Sequence, residues 1–314
     1  MNNIKKKLLF TLGCSFTEGD GAYPDEPFFG PEGIPPDGSR RVELHGTSLQ
    51  QEYRNTYEEV FHNYGWPAQL VRNLGYDKLI NTGKNASSTS YQIKLLFEKY
   101  WNFPWHKYET LMIIYLTDSG RFSFYSGGLP QTFMYGTSER PWSLSGRYAK
   151  IIQDTNLDTM LEQIHHVKSL EGFCKSKGIT LKVMSHYKRE DSLMKKLYKT
   201  DIYMDSNVWD PLPFDHSFGT DNWDSRYHSP ICFHPNREGY RLMVENIIKK
   251  IKELHPELIR KEGFNENPEL FWDGGYDPPS NPFPNAIEDR IMFNHEGLTD
   301  GEIEDYAKTG KPFM

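Results

Sequence analysis

Residues 8–12 (Leu-Leu-Phe-Thr-Leu) form a short apolar run that carries no charge and shows no alternation of polar and apolar side chains. Such a run is typical of a β-strand buried on both faces, as in a parallel sheet that is covered by helices. The run stops at Gly13, and Ser15 follows before the glycine-rich residues 19–21. Open α/β sheets bind their ligands at the carboxyl ends of the strands. We therefore predict that Ser15 lies at a binding site.

Strand-like and helix-like segments alternate along the following 240 residues. Apolar runs predict further strands over residues 78–81, 110–116 and 180–185. Helical periodicity and helix-end signals predict helices over residues 66–75, 88–101, 157–177, 192–198 and 237–254. This alternation indicates an α/β fold, with a parallel sheet between two layers of helices. Polar or aromatic insertions interrupt it at residues 20–57, 120–148 and 201–233.

The C-terminal segment differs in composition and charge from the remainder of the chain. Residues 256–314 are rich in Pro, Gly and Asn, and their 13 acidic and 5 basic side chains give them a net charge of −8, against −7 for the whole chain. We interpret residues 1–255 as one domain and residues 256–314 as an acidic extension that is dispensable for folding and contacts a protein partner. Because residues 1–255 are almost neutral, no basic stripe is available for a nucleic-acid partner.

Several other partners and sites are not expected from the composition. No stretch approaches the ~20 apolar residues of a membrane-spanning helix, and the five-residue run after Lys7 is shorter than the ~7–15 apolar residues of a secretory signal. We expect no signal peptide, no membrane partner and a cytoplasmic location in the producing cell. Cys14, Cys174 and Cys232 are too few and too scattered for a disulfide framework or a zinc site, so we expect buried thiols, no metal and no cofactor.

A histidine offers a chemical partner for Ser15. Residues 234–239 (His-Pro-Asn-Arg-Glu-Gly) begin the last predicted helix, so His234 and Ser15 form a candidate pair of general base and nucleophile. The spacing of residues 13–19 (Gly-Cys-Ser-Phe-Thr-Glu-Gly) is not that of the Gly-x-Ser-x-Gly elbow, because Thr17 stands at the second glycine position.

Residues 13–19 resemble block I of the SGNH (GDSL-type) hydrolases, whose Gly-x-Ser-x-x-x-Gly follows the first strand, and residues 234–239 resemble the His-Pro-Asn-x-x-Gly of block V. Residues 117–122 (Thr-Asp-Ser-Gly-Arg-Phe) look like a variant that phage and bacterial members show. The resemblance extends over about residues 7–252. It implies a flavodoxin-like three-layer α/β/α sandwich and ester hydrolysis, with Ser15 as the nucleophile and His234 as the base.

The resemblance also implies oxyanion donors. The family's second block begins with an Asn and supplies a backbone N–H about five residues later, which assigns Ala86 to the donor position and leaves Gly83 as the alternative. The third block ends in Gly-x-Asn-Asp, and here Thr117 stands at the Asn position, where its hydroxyl would be the donor.

The acid of the family's Asp-x-x-His motif is replaced in this chain. Ile231 stands three residues before His234, where the resemblance calls for an aspartate to orient the imidazole. Asp221 and Asp224, in the preceding loop, are the candidate orienting acids. The alternative is a Ser–His dyad in which a backbone carbonyl orients the ring.

Two functions from different classes fit these patterns. The first is a serine esterase for small acyl esters, including O-acetyl carbohydrates, because aromatic side chains and long polar loops near the cleft suit a polar, ring-shaped substrate. The aromatic insertion at residues 120–148 fits a local core that buries its own rings equally well. The second is a weakly active or inactive SGNH scaffold that serves as a structural or glycan-binding component, for example of a virion. Ile231, Thr117 and the acidic extension motivate it.

Overall fold

The computed structural model describes residues 5–22, 62–84, 87–117, 121–126, 129–134, 156–185 and 234–273. Its strands are β1 (Lys6–Leu12), β2 (Lys78–Asn81), β3 (Tyr108–Tyr115), β4 (Arg121–Ser126), β5 (Leu129–Met134), β6 (Thr180–Met184) and β7 (Glu269–Trp272). Its α-helices are α1 (Ser15–Glu18), α2 (Trp66–Asn73), α3 (Thr89–Tyr100), α4 (Asn156–Lys177) and α5 (Arg237–Leu254). The helix predicted at residues 192–198 lies outside the described residues.

Five of these strands form a parallel sheet in the order β6-β3-β1-β2-β7. The order of β2, β1, β3 and β6 is that of a flavodoxin-like sheet, with β7 added beside β2. β1 lies at the centre and is buried from Leu8 to Leu12, which explains its lack of alternation. The carboxyl ends of β1, β2 and β3 therefore meet at one edge, the place where the sequence puts Ser15.

Helices cover both faces of the sheet. Leu9 of β1 packs with the apolar side chains of α2 and α5, whereas Leu8 and Phe10 pack with those of α3 and α4. The two apolar clusters lie on opposite sides of the sheet because successive side chains of a strand point to opposite faces. This arrangement confirms the predicted three-layer α/β/α sandwich.

Local signals in the sequence account for the helix ends. Ser88 caps α3, since its hydroxyl accepts the N–H of Tyr91, and Asn236 caps α5 by accepting the N–H of Gly239. In α2, Pro67 occupies the first turn, where the missing N–H has no helical partner in any case.

Part of the aromatic insertion forms a separate hairpin. β4 and β5 pair antiparallel from Arg121↔Met134 to Ser126↔Leu129. The side chains of this hairpin lie outside what the structure describes, so the choice between a substrate wall and a local core stays a prediction.

The segment that follows residue 255 begins by packing against the edge of the sheet. β7 pairs in parallel with β2, from Lys78↔Glu269 to Asn81↔Trp272. Arg260 forms an ion pair with Asp77, directly before β2. Residues 256–273 thus pack with the sheet, because β7 pairs with the backbone groups along the outer side of β2 and Arg260 contacts Asp77. The predicted boundary at residue 255 lies inside the folded unit.

Within the described ranges, no helix has both the length and the apolar character needed to cross a membrane.

Candidate active site

Ser15 is the first residue of α1, a single helical turn that begins three residues after β1 ends. The carbonyl of Cys14 accepts the N–H groups of Thr17 and Glu18, and Gly19 ends the turn with φ of +103°. A side chain at Gly19 would be strained in this left-handed conformation. The turn therefore holds Ser15 at the carboxyl end of the central strand, with only 3% of the residue exposed.

His234 contacts Ser15 across 219 residues of sequence. Its Nε2 atom lies 2.7 Å from the Ser15 Oγ atom. The ring of Phe16 packs against the imidazole, with 4.8 Å between the ring centroids. The Ser15 hydroxyl does not serve as the cap of α1, because the capping position belongs to Cys14. The pair has the geometry of a nucleophile and its general base.

The loop after α1 packs directly against the start of α5. The backbone at Gly21 has φ of +96°, and a Cβ atom there would lie 2.5 Å from the Pro235 carbonyl oxygen and 2.9 Å from the His234 Cβ. The Arg237 Nε atom donates to the carbonyl of Ala22, at 3.3 Å. This close approach places His234 next to α1, the helix that carries Ser15.

The same loop places an acid beside His234. The Oδ2 atom of Asp20 lies 3.8 Å from the His234 Nδ1 atom, and Asp20 is 1% exposed. Asp20 is not among the site residues predicted from the sequence. Its signal was an acid between two glycines, directly after the helix of the candidate nucleophile. The two predicted orienting acids, Asp221 and Asp224, lie outside the described residues.

Asn81 links β2 to α1. Its Nδ2 atom donates to the carbonyl of Thr17 at 2.8 Å, and its Oδ1 atom accepts from the Thr11 hydroxyl at 3.0 Å and the Gly83 N–H at 2.9 Å. Because the Gly83 N–H is already bonded to Asn81, Gly83 does not suit the alternative donor role. Ala86, the first choice for that role, lies outside the described residues.

Thr117 lies two residues beyond β3 and is fully buried. Its Oγ1 atom accepts the N–H of Thr89 at 2.9 Å and lies 3.1 Å from the Thr89 Oγ1 atom. The Thr89 Oγ1 atom in turn accepts the Thr117 N–H at 3.2 Å and a Gln163 Nε2–H at 3.4 Å. With both its lone pairs used, the Thr89 hydroxyl donates to Thr117. The Thr117 hydroxyl then accepts twice and keeps its own hydrogen for another acceptor.

The cysteines of the described residues are buried thiols. Cys14 and Cys174 are both free and buried, and burial raises the pKa of the Cys174 thiol to about 12. Cys232 lies outside the described residues. In the part of the chain that the structure describes, no group of three or more His, Cys, Asp and Glu side chains is placed to hold a metal ion.

The similarity of this chain to known proteins is distant and is seen in structure. No protein-family model and no curated protein matches the chain. Among solved structures, the chain is similar to one from Desulfitobacterium hafniense whose description places it in the G-D-S-L family of lipolytic proteins. The two are 13% identical, the match covers 78% of this chain and 99% of the other, and the TM-score is 0.38.

Proposed function

We propose that this protein is a serine ester hydrolase in which Ser15 is the nucleophile and His234 is the general base. The observation that carries the proposal is the 2.7 Å contact between the His234 Nε2 atom and the Ser15 Oγ atom. It is formed at the carboxyl end of the central strand, where sheets of this type bind their ligands. The similarity of residues 13–19 and 234–239 to the SGNH hydrolases adds support.

The reaction proceeds through a covalent intermediate. The His234 Nε2 atom accepts the Ser15 proton while the Oγ atom attacks the carbonyl carbon of the ester. The tetrahedral intermediate collapses with loss of the alcohol, which takes the proton from the imidazolium. The imidazole then removes a proton from water, the hydroxide attacks the acyl-enzyme, and the carboxylic acid leaves as the proton on the imidazolium returns to the Ser15 oxygen.

Three groups are proposed to bind the oxyanion. The N–H of Ser15 belongs to the first turn of α1, where N–H groups have no acceptor within the helix. The Thr117 hydroxyl has both lone pairs used and one hydrogen to donate. Ala86 is proposed from the resemblance. One donor of this kind contributes about 3 kcal/mol to transition-state stabilisation.

We propose small acyl esters, including O-acetyl groups on carbohydrates, as the substrates. The near-complete burial of Ser15 favours a short acyl group over a long chain. A comparison of p-nitrophenyl acetate with p-nitrophenyl octanoate tests this choice, and we expect a higher kcat/KM for the acetate. A preference for the octanoate would contradict it.

The hydrolase proposal is tested with p-nitrophenyl acetate and a fluorophosphonate probe. Both turnover and labelling should disappear in Ser15→Ala, and His234→Ala should lose nearly all turnover. Ser176→Ala is the matched control, since the Ser176 hydroxyl donates to the Phe173 carbonyl on α4. Equal labelling of the wild type and Ser15→Ala would exclude Ser15 as the nucleophile.

A second candidate function is that of a structural or glycan-binding component, for example of a virion, formed in the cytoplasm of the producing cell. The exposed edge of the sheet favours it, because Phe271 on β7 is 48% exposed and precedes the acidic residues 274–314. Removal of residues 274–314 should then abolish assembly and leave the domain folded. Assembly that survives this truncation would argue against a partner at this segment.

A further inference from the structure

We infer that Asp20 is the residue that positions His234, so that the acid of this site comes from the loop of the nucleophile and not from the loop of the histidine. The inference rests on the proposed roles of Ser15 and His234. The imidazole lies between two groups, with its Nε2 atom 2.7 Å from the Ser15 Oγ atom and its Nδ1 atom 3.8 Å from the Asp20 Oδ2 atom.

The backbone of Asp20 is fixed from both sides of the site. Its N–H donates to the carbonyl of Ser15 at 3.0 Å, and its carbonyl accepts from the Tyr240 hydroxyl of α5 at 2.7 Å. Tyr240 is itself fully buried. The backbone that carries the carboxylate is thus held in place relative to both α1 and α5.

The burial of Asp20 favours a positive charge beside its carboxylate. A carboxylate that is 1% exposed needs a positive charge or hydrogen-bond donors to offset the loss of water. The imidazolium that forms when His234 accepts the Ser15 proton supplies such a charge at ion-pair distance. Catalytic hydrogen bonds are often long before substrate binds and tighten in the complex, so the 3.8 Å between the His234 Nδ1 atom and the Asp20 Oδ2 atom is compatible with a positioning role.

An acid at this position accounts for the substitution at residue 231. The orienting group of a Ser–His pair must reach the Nδ1 atom, but it need not come from a particular place in the sequence. Asp20 follows the nucleophile by five residues and reaches Nδ1 because Gly21 lets the loop approach His234. Asp20 then supplies the carboxylate that Ile231 lacks.

The experiment compares four acids by single substitution. We expect Asp20→Asn and Asp20→Ser to lower kcat for p-nitrophenyl acetate by about 100-fold or more, with a smaller change in KM, because both remove the charge beside His234. Asp221→Asn, Asp224→Asn and the control Asp77→Asn should keep kcat close to the wild-type value. Asp77 is ion-paired with Arg260 before β2, so its substitution removes a charge at the opposite end of that strand.

A second measurement separates positioning from a general structural role. In a His234→Ala background, Asp20→Asn should cause no further loss of activity, since Asp20 acts through the imidazole. The same fractional loss in both backgrounds would mean that Asp20 only supports the fold, and would overturn the inference. So would wild-type activity in Asp20→Asn, or a larger loss in Asp221→Asn or Asp224→Asn.

Two controls keep the result interpretable. Wild-type activity in Ser15→Ala would refute the proposed function, whereas an inactive Ser15→Ala beside a fully active Asp20→Asn would refute the assignment of Asp20 alone. If both Asp20 variants fail to fold, the Nδ1 proton resonance of His234 in the wild type is compared with that in Asp221→Asn and Asp224→Asn. It should be unchanged in Asp221→Asn and Asp224→Asn, and a displacement in either would overturn the inference.

Discussion

Individual polar side chains keep α1, the turn that carries Ser15, in place at the edge of the sheet. Asn81 reaches from β2 to the carbonyl of Thr17 on α1 and also binds Thr11 on β1. All three residues are buried, so their polar groups depend on one another for hydrogen bonds. A change at one of them should affect both the stability of the domain and the position of Ser15.

We predict that Asn81→Ala lowers the free energy of unfolding by about 3 kcal/mol, because it leaves buried partners without hydrogen bonds. Urea denaturation measures the loss, and kcat for p-nitrophenyl acetate should fall with it. Asn73→Ala is the control, since the Asn73 amide is exposed and donates to the Gln69 carbonyl within α2. Similar stabilities of the two variants would contradict the role given to Asn81.

Gly21→Ala tests the close approach between the loop and His234. A methyl group there would meet the Pro235 carbonyl, so we expect a loss of stability above the ~1–2 kcal/mol of a strained backbone, together with a marked loss of activity. Gly263→Ala is the matched control, because Gly263 also has a positive φ, +81°, but nothing within 4 Å of an added Cβ. The difference between the two variants measures the effect of the steric clash apart from that of the backbone strain. Full activity in Gly21→Ala would contradict the role given to the close approach.

Among the structural elements, β3 and α4 meet α3 through a buried polar network at the site. The Gln163 Nε2 atom of α4 donates to the Thr117 carbonyl at 2.6 Å, and Thr89 of α3 bonds to Thr117 through both its N–H and its hydroxyl. Within this network the Thr117 hydroxyl accepts two hydrogen bonds, which leaves its one hydrogen to donate. The proposed oxyanion role of Thr117 therefore depends on three elements.

We predict that Thr117→Val lowers kcat for p-nitrophenyl acetate by about 100-fold with little change in KM, because one transition-state donor is lost. Thr117→Ser, which keeps the hydroxyl, should retain most of the activity. Thr110→Val, on β3, is the control: within the described residues the Thr110 hydroxyl is buried without a hydrogen-bond partner, so its removal should be neutral. Equal activity of Thr117→Val and Thr117→Ser would remove Thr117 from the oxyanion site.

The sequence predicts the elements of this fold well, and the site only in part. The strands and helices of the described sheet lie within about two residues of their predicted positions, because apolar runs and capping residues are local signals. β7 was missed because it is four residues long and its side chains are at most half-buried. Asp20 was missed because its nearness to His234 depends on how a loop packs against a helix that begins more than 200 residues later.

For the molecule as a whole, the sheet determines where the chain can be shortened. A chain that ends at residue 255 lacks β7 and the Arg260–Asp77 ion pair, whereas one that ends at residue 273 keeps both. We predict that the first unfolds or aggregates and that the second shows cooperative thermal unfolding. Circular dichroism and size-exclusion chromatography distinguish these outcomes. A folded chain ending at residue 255 would restore the view that residues 256–314 are dispensable for folding.

The place of β7 beside β2 also affects the order of events during translation. On the ribosome, the outer side of β2 has no partner until 191 further residues, Thr82 to Trp272, have been made. At typical synthesis rates of about 5–20 residues per second, this delay is about 10–40 s. An unpaired strand edge is a template for contacts between chains. To avoid aggregation during this interval, newly made molecules should therefore depend on chaperones or on a low concentration of other unfinished chains.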